Sequence, residues 1–166
     1  LTNGMKLAAK RYLKWWFRKK DYRKMSKKTL VFVINHVAFF VSHRLPIAVE
    51  AIRDGLNVFL VTGQPGSIEM EELAMQELAK HKIQHKRLLF SASGMNPIKE
   101  AIGFFQLLIQ LIRVRPNVVH TASPKGNLYG GIASRLTGIK ALVVAISGMG
   151  FLYTGEANFI KSIIKK

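Results

Sequence analysis

Residues 29–63 read TLVFVINHVAFFVSHRLPIAVEAIRDGLNVFLVTG, and the spacing of their apolar residues changes twice along the segment. The run 29–35 is short, apolar and rich in β-branched residues, which predicts a strand covered on both faces. Apolar residues recur at helical spacing over 43–55, which predicts a helix. The run 56–63 repeats the pattern of the first strand. Strand, helix and strand in this order predict a parallel βαβ unit.

The rest of the chain continues the same alternation. Helices are predicted over 67–82, 98–115, 124–138 and 157–166, and strands over 83–90, 117–122 and 140–147. Five strands separated by helices predict an α/β fold, a Rossmann-like doubly wound parallel sheet with right-handed crossovers. The expected strand order is 3-2-1-4-5.

Local signals set the predicted helix ends. Ser42, Ser67 and Ser123 are predicted N-caps, because a serine side chain accepts hydrogen bonds from the free amides of a first helical turn. Pro46 fits the first turn that follows Ser42, and Gly55 is expected to end that helix.

The composition indicates a folded domain. Of the 166 residues, 49% are hydrophobic and 21% are charged, which excludes a disordered chain. Cysteine is absent, so the chain has no disulfide and no thiolate nucleophile, which fits a reducing compartment. No apolar run reaches the roughly 18 residues that span a bilayer. The longest candidate, 101–112, contains two glutamines and is predicted to be a buried helix.

The net charge of +17 is concentrated at the N-terminus. Residues 1–28 contain eleven Lys or Arg and a single acid, Asp21, which gives +10, whereas residues 29–166 contribute +7. We therefore divide the chain into a basic leader, 1–28, and a Rossmann-like domain, 29–166. Both parts are expected to meet an anionic partner.

The leader has apolar and aromatic residues on one helical face and cations on the others, which predicts a basic amphipathic helix. Adjacent tryptophans and cations are typical of helices that lie on an anionic membrane surface. The predicted membrane-surface residues are Lys10, Arg11, Lys14, Trp15, Trp16, Phe17 and Arg18. Three alternatives stay open: docking of the apolar stripe on the domain or on a partner protein, binding of nucleic acid through its phosphates, and a natural start at Met25.

Ligands of doubly wound sheets bind beyond the carboxyl ends of the strands, where the strand order reverses. That point lies here between the first and fourth strands, which brings 35–43, 121–126 and 147–151 to one rim. The segment after the first strand has neither G-x-G-x-x-G nor a Walker pattern, so neither a dinucleotide site nor a P-loop is predicted. The candidate binding residues that stand there instead are His36, Phe39, Phe40, Ser42, His43 and Arg44.

Each of these candidates also has a structural interpretation. Phe39 and Phe40 could stack on a sugar or a lipid, but core packing is the commoner role of such residues. A histidine at a strand end usually makes structural hydrogen bonds. Arg44, in the first helical turn, could meet a phosphate.

Two further segments carry candidate residues of the rim. Ser123 is expected to cap the helix over 124–138, and Lys125 to form an anion site beside its free amides or else to be an ordinary surface lysine. Gly148 and Gly150 allow a backbone turn close to a ligand, or only a bend in a tight connection.

Catalytic and metal sites are not predicted. The helical acids are expected to be solvated; they are Glu50, Asp54, Glu69, Glu71, Glu72, Glu77 and Glu100. Ser42 and His43 lack an acid on the rim that would complete a triad. His81 and His85 are separated by a predicted helix end, which does not fit metal-ligand spacing. No cofactor is expected, and the rim is predicted to bind rather than to catalyse.

Three segments carry a family resemblance: FFVSHRLPIAVEAIRDGLNVFLVTG (39–63), SGMNPIKEAIGFF (93–105) and RPNVVHTASPKGNLYGGIASRLTGIKALVVAISGMGFLYTG (115–155). Together they resemble the N-terminal, acceptor-side domain of family-4 glycosyltransferases, which are GT-B enzymes of bacterial surface polysaccharide synthesis such as that of capsule or lipopolysaccharide. The resemblance runs in order from about Thr29 to Gly155.

The resemblance implies a site and partners. In that family two Rossmann-like domains face each other across a cleft, and the C-terminal domain holds the nucleotide sugar. Residues 36–44, with Ser123 and Lys125 at the edge, would then bind the acceptor. The implied cleft turn is Ser147, Gly148, Met149 and Gly150. The implied partners are a nucleotide-sugar donor held by a C-terminal domain or partner subunit, a lipid-linked glycan acceptor and the inner, cytoplasmic face of the cell membrane.

Some positions depart from the family pattern. Many relatives have a histidine that contacts the transferred sugar where this chain has Ser147, and a second histidine where it has Ala122. The resemblance also implies a donor domain with paired glutamates beyond Lys166. The chain alone is therefore expected not to transfer a hexose but to form one half of a glycosyltransferase.

A second hypothesis comes from another functional class. The chain would be a non-enzymatic basic module that binds anionic membrane or nucleic acid and uses the Rossmann-like body as a scaffold. If the chain is one half of a glycosyltransferase, a cleft face that a second domain normally covers predicts an exposed apolar patch and self-association of this half.

Overall fold

The computed structural model describes residues 28–65, 68–91 and 96–146. The strands are β1 (Thr29–Ile34), β2 (Asn57–Gln64), β3 (Gln84–Ser91), β4 (Val118–Ala122) and β5 (Leu142–Ala145). The helices are α1 (Val37–His43), α2 (Leu45–Arg53), α3 (Ile68–Lys80), α4 (Pro97–Val114) and α5 (Pro124–Leu136). The predicted leader helix, the cap at Ser67, the cleft turn 147–150 and the helix over 157–166 lie outside the described residues.

The five strands form one parallel sheet in the order β3-β2-β1-β4-β5, as the sequence predicts. β1 lies at the centre and is buried from Leu30 to Ile34. Its Val31 lies opposite Phe59 of β2 on one side and Val119 of β4 on the other. The chain leaves β1 toward β2 and returns on the other side as β4. The carboxyl ends of β1 and β4 therefore form the switch point of the sheet.

Two apolar layers enclose the sheet. On one face, α1, α2 and α3 cover a cluster that includes Phe32, Phe40 and Leu78. On the other face, α4 and α5 cover a cluster that includes Phe90 and Leu107. Full burial of one such side chain contributes about 1.5 to 3 kcal/mol, so the alternating side chains of β1 stabilise both layers at once.

The first crossover consists of two helices instead of the single predicted helix. α1 ends at His43 and α2 begins at Leu45, with Arg44 as the cap residue between them. Pro46 lies in the first turn of α2 and Gly55 follows α2 with the positive φ of a helix stop, both as predicted. The predicted N-cap at Ser42 is wrong, because Ser42 lies inside α1 and its hydroxyl donates to the carbonyl of Ala38.

Helix α5 packs closely on the strands that form the rim. A Cβ atom on Gly126 would lie 2.7 Å from the carbonyl oxygen of Val33, and one on Gly130 would lie 2.5 Å from Cγ2 of Thr121. Only glycine allows this approach without a shift of the neighbouring atoms. The lack of a side chain at these two positions therefore allows α5 to pack against the carboxyl ends of β1 and β4.

Helix α4 is not a buried helix, although its apolar sequence predicts one. Gly103, Leu107 and Leu111 face the sheet, whereas Ile98, Phe105 and Ile112 are exposed to solvent. Within the described ranges, no helix is both long enough and apolar enough to cross a bilayer.

Candidate functional site

The loops after β1 and β4 are joined at the rim. The hydroxyl of Ser123 donates to Oδ1 of Asn35 at 2.7 Å and accepts from the amide of Asn35 at 3.1 Å. Ser123 stands at the N-cap position of α5, as predicted, but its side chain does not cap the helix because it is committed to Asn35. The two segments that the sequence analysis placed on one rim are thus in direct contact.

Helix α1 carries three rings in a row along one side. The His36 and Phe39 ring centroids are 6.2 Å apart, and the rings of Phe39 and His43 stack at 4.4 Å with an interplanar angle of 12°. His36 also caps α1, since its Nδ1 accepts from the amide of Phe39 at 3.2 Å. His36 and Phe39 are half-buried and His43 is exposed. We refer to His36, Phe39 and His43 as the ring row.

Ser42 and His43 are hydrogen-bonded but do not form a nucleophilic pair. Ser42 Oγ lies 2.6 Å from Nδ1 of His43, and the same hydroxyl donates to the carbonyl of Ala38 at 2.9 Å. The hydrogen bonds of the His43 ring are to Ser42 and to the carbonyl of Phe39, and no carboxylate orients this ring in the part of the chain that is described. Activation of a serine requires a base that a third group holds in place.

The N-terminus of α1 is occupied by a carboxylate of the protein itself. The amides of Val37 and Ala38 donate to the two carboxylate oxygens of Glu71, each at 3.2 Å, and Arg87 donates to the same side chain at 3.2 Å. Glu71 is buried, so its prediction as a solvated residue is wrong. A negative charge at a helix N-terminus is stabilising. The position after β1 where doubly wound folds often bind a phosphate is therefore filled by Glu71.

Phe40 and Arg44 have structural contacts. Phe40 is fully buried and meets the ring of Phe32 edge to face at 5.2 Å, which agrees with the core interpretation. Arg44 joins α1 to α2 and donates to the carbonyl of His43 at 3.1 Å, so it is not in the first turn of a long helix as predicted. Burial, with a smaller contribution from the charge of Arg44, lowers the pKa of His120 to about 4.

Lys125 is bound within the protein. Its Nζ donates to the carbonyl of Ser91 at 2.8 Å and to Glu100 at 2.9 Å, and Tyr129 donates to the other oxygen of Glu100 at 2.7 Å. Glu100 is thus a second helical acid for which the solvated prediction is wrong. The hydrogen bond that the Tyr129 hydroxyl donates to Glu100 raises the pKa of Tyr129 to about 12. Burial opposes the charge of Glu100, yet the hydrogen bonds from Tyr129 and Lys125 keep the pKa of this carboxyl below its usual value.

The sequence shows no direct signal for these two acids. Glu71 and Glu100 look like any acid in the first turn of a helix, and their partners are distant in the sequence. A buried carboxylate is recognised only when the contacts that satisfy it are known. The described residues contain no group of three or more His, Cys, Asp or Glu side chains that could hold a metal ion.

Residues 29–166 match the family model described as glycosyl transferase 4-like. This chain belongs to that family. The match agrees with the resemblance to the N-terminal domain of family-4 GT-B glycosyltransferases. No curated protein sequence matches this glycosyl transferase 4-like chain.

Among solved structures, MurG supports the fold of the glycosyl transferase 4-like domain. MurG of Acinetobacter baumannii has a TM-score of 0.56 at 16% identity over 72% of this chain and 35% of that chain. This chain therefore spans about a third of the MurG structure. A deacetylase of the teicoplanin biosynthesis pathway has a TM-score of 0.49 at 12% identity, with 66% and 65% of the two chains covered. GalB, the 4-carboxy-2-hydroxymuconate hydratase of Pseudomonas putida KT2440, has a TM-score of 0.48 at 16% identity, with 71% and 62% covered.

The structure groups the predicted site residues of the glycosyl transferase 4-like domain into three sets. Phe39, Ser42 and His43 lie on α1, which starts at the rim, and His36 is its N-cap. Phe40, Arg44, Ser123 and Lys125 also lie near the switch point, but they make the internal contacts described above. Ser147, Gly148, Met149 and Gly150 lie outside the described residues, so their cleft role stays a prediction.

Proposed function

We propose that this domain binds the acceptor sugar of a glycosyl transfer, while a second domain or a partner subunit holds the nucleotide-sugar donor. Family membership supports a role in glycosyl transfer. The observation that supports the acceptor role is that α1 has a carboxylate at its N-terminus and the ring row along one side. Its N-terminus is filled by Glu71, which leaves no open phosphate position there, and the ring row lies alongside it.

The ring row suits a sugar for a simple chemical reason. A sugar ring has an apolar face of C–H groups and an edge of hydroxyls, and binding sites for such molecules combine flat apolar surfaces with a few fixed polar groups. The stacked rings of Phe39 and His43 together offer the flat surface, since His43 covers one face of Phe39 and is itself exposed. The imidazoles of His36 and His43 provide nitrogens that donate or accept hydrogen bonds.

The acceptor that we propose is a lipid-linked glycan of a bacterial surface polysaccharide, at the cytoplasmic face of the membrane. The basic leader supports this choice, because its cations and tryptophans are those of a helix that binds anionic bilayers. A glycan that remains attached to a lipid stays at the bilayer surface. An enzyme that extends this glycan meets it more often when the enzyme binds to the same bilayer surface.

The decisive experiment separates acceptor binding from donor binding. Transfer of radiolabelled hexose from a panel of nucleotide sugars to a solvent extract of bacterial membranes is measured with the complete protein and its donor-binding domain or partner. In Phe39→Ala, we expect the apparent KM for the acceptor extract to rise about tenfold, which corresponds to about 1.4 kcal/mol of lost contact. The KM for the nucleotide sugar should not change.

A histidine far from the rim supplies the matched control. His43→Ala should raise the acceptor KM as Phe39→Ala does, whereas His81→Ala should not, because His81 precedes the amino end of β3 and contacts Glu77. An unchanged acceptor KM in Phe39→Ala and His43→Ala would exclude this role of the ring row. If no sugar is transferred and the protein still binds vesicles or nucleic acid, the non-enzymatic hypothesis is favoured instead.

A further inference from the structure

Helices α4 and α5 expose a continuous apolar surface, which we call the α4–α5 face. Its residues, from 43% to 70% exposed, are Ile98, Ile102, Phe105, Ile109 and Ile112 on α4 and Leu128, Ile132 and Leu136 on α5. On α4 the spacing alternates between four and three residues, which keeps all five side chains on one side of the helix. Exposed apolar patches of this kind mark contact surfaces.

The α4–α5 face is separate from the inner sides of the two helices, which pack on the sheet. Leu107 and Leu111 of α4 and Ala133 of α5 already bury the inner sides of the two helices in one cluster with the sheet. Because α4 and α5 cover the same side of the sheet, their outer sides lie next to each other. The stripe from Ile98 to Ile112 covers 14 helical steps, or about 21 Å.

Among the described residues, the solvent-exposed charges on α4 and α5 and at their ends are all positive. The exposed cations at the ends of the two helices are Lys99, Arg113, Arg115, Arg135 and Lys140. The sequence contains no acidic residue from Ala101 to Gly155. The one acid on either helix, Glu100, is bound by Lys125 and Tyr129. The α4–α5 face is therefore an apolar stripe with cations at both ends.

This charge pattern selects among the possible occupants. A second copy of the chain would bring the same cations against each other. The chain's own leader, with eleven Lys or Arg and one Asp in residues 1–28, would also be repelled. A bilayer with anionic headgroups accepts both the apolar side chains and the surrounding cations, each of which contributes about 1 kcal/mol near such a surface.

We propose that the α4–α5 face lies on an anionic phospholipid bilayer, with its apolar side chains in the boundary between headgroups and acyl chains. This inference rests on the membrane location within the proposed function and names the surface that makes the contact. α3 provides the contrast within the same molecule. It also exposes apolar residues, among them Leu73, but acids lie on both sides of Leu73 in the same helix, including Glu69, Glu72 and Glu77.

The absence of cysteine allows a site-specific test on the full chain. Single cysteines are introduced as Phe105→Cys and, as the control, Leu73→Cys, two positions that are 62% and 66% exposed on opposite sides of the sheet. Each is labelled with an environment-sensitive NBD fluorophore and mixed with phosphatidylcholine vesicles, with and without phosphatidylglycerol. We expect a blue shift at position 105, and none at position 73, when phosphatidylglycerol is present.

The probe at position 105 separates this contact from binding through the leader. If the protein cosediments with the vesicles and the probe at position 105 does not shift, the proposal is wrong. It is also wrong if the protein does not bind the vesicles at all. A shift that depends on protein concentration and needs no vesicles would identify a second copy as the occupant and overturn the proposal as well.

A second variant pair tests the contribution to affinity. The double variant Phe105→Glu, Ile109→Glu should lower the partition coefficient onto anionic vesicles by about tenfold or more, because burial of even one such side chain is worth about 1.5 kcal/mol. Leu73→Glu should leave the coefficient unchanged, and an equal loss in both would contradict the proposal. These readings need no sugar transfer, so failure of the acceptor assay and failure of the membrane contact are distinguishable.

Discussion

Substitution of Glu71 tests directly whether its carboxylate stabilises the start of α1 at the rim. The carboxylate accepts from the amides of Val37 and Ala38 at the start of α1 and pairs with Arg87. Replacement of Glu71 by alanine leaves both amides without this acceptor at a site that excludes most water. We expect the free energy of unfolding to fall, and α1 to open locally before the rest of the domain.

The expected magnitude follows from these contacts. Each amide that loses its partner in a buried site costs about 1 to 3 kcal/mol. The Arg87 side chain is 39% exposed, so its ion pair contributes less than about 1 kcal/mol. Glu71→Ala should therefore destabilise the domain by about 3 to 4 kcal/mol, a large fraction of the roughly 5 to 15 kcal/mol of a typical domain. Glu71→Gln keeps one good acceptor and should cost about half as much.

The assay is urea unfolding followed by circular dichroism, together with amide hydrogen exchange. The adjacent Glu72 is the matched control, because it is exposed on the same helix and Glu72→Ala should change stability by no more than about 0.5 kcal/mol. In Glu71→Ala the amides of Val37 and Ala38 should also exchange faster. If Glu71→Ala and Glu72→Ala unfold at the same urea concentration with the same slope, the capping role of Glu71 is refuted.

Three further predictions concern the packing and titration of the domain. Between about pH 6.5 and 4 the unfolded chain protonates His120 while the folded chain keeps it neutral, so His120 should lower stability by up to about 1.4 kcal/mol for each unit by which the pH falls. The pKa of His85 is also lowered to about 4, so His120→Gln should reduce, but not abolish, the loss of stability between pH 7 and 5 in urea unfolding. Gly130→Ala should lower the free energy of unfolding by about 1 to 3 kcal/mol, because the new methyl group collides with β4. Gly131→Ala has open space around its Cβ and should stabilise α5 by up to about 1 kcal/mol. Equal melting temperatures of the two variants would contradict this difference. Glu100→Ala removes the acceptor of the Tyr129 hydroxyl and should move the pKa of Tyr129 from about 12 back toward 10. Absorbance at 295 nm during alkaline titration will detect this shift, and an unchanged titration would rule out the hydrogen bond as its cause.

The strands and their order could be predicted because their signal is local and strong. Short β-branched runs alternate with helical periodicity, and the rules for parallel crossovers then leave few arrangements. The order β3-β2-β1-β4-β5 and the meeting of the 35–43 and 121–126 segments both follow from that reasoning. What decides these features is the period of the apolar residues, which is visible in the sequence.

The break between α1 and α2 could not be predicted from the same pattern. The segment VAFFVSH is apolar and lacks a conventional N-cap, since histidine is not among the residues that usually cap helices. His36 nevertheless caps α1, and Glu71 from α3 completes the cap. A helix start that depends on a side chain 33 to 34 residues away has no local signal.

The exposure of α4 was missed for a different reason. The helix is apolar on nearly all sides, and such helices are usually buried on all sides. Here one side packs on the sheet through Leu107 and Leu111, whereas the other carries Phe105 to solvent. An apolar sequence indicates a surface that is stabilised by burial, but it does not show whether that surface is buried in the protein's own core or against another molecule.

The bridge between Asn35 and Ser123 has a consequence for the order of events during synthesis. The two residues are 88 positions apart, and the pairing of β1 with β4 spans the same separation. While the ribosome has released only the first three strands, β1 can pair with β2 but is an apolar edge strand with its other side open, which is prone to aggregation. The nascent chain must therefore be protected until β4 emerges, and the rim forms late in folding.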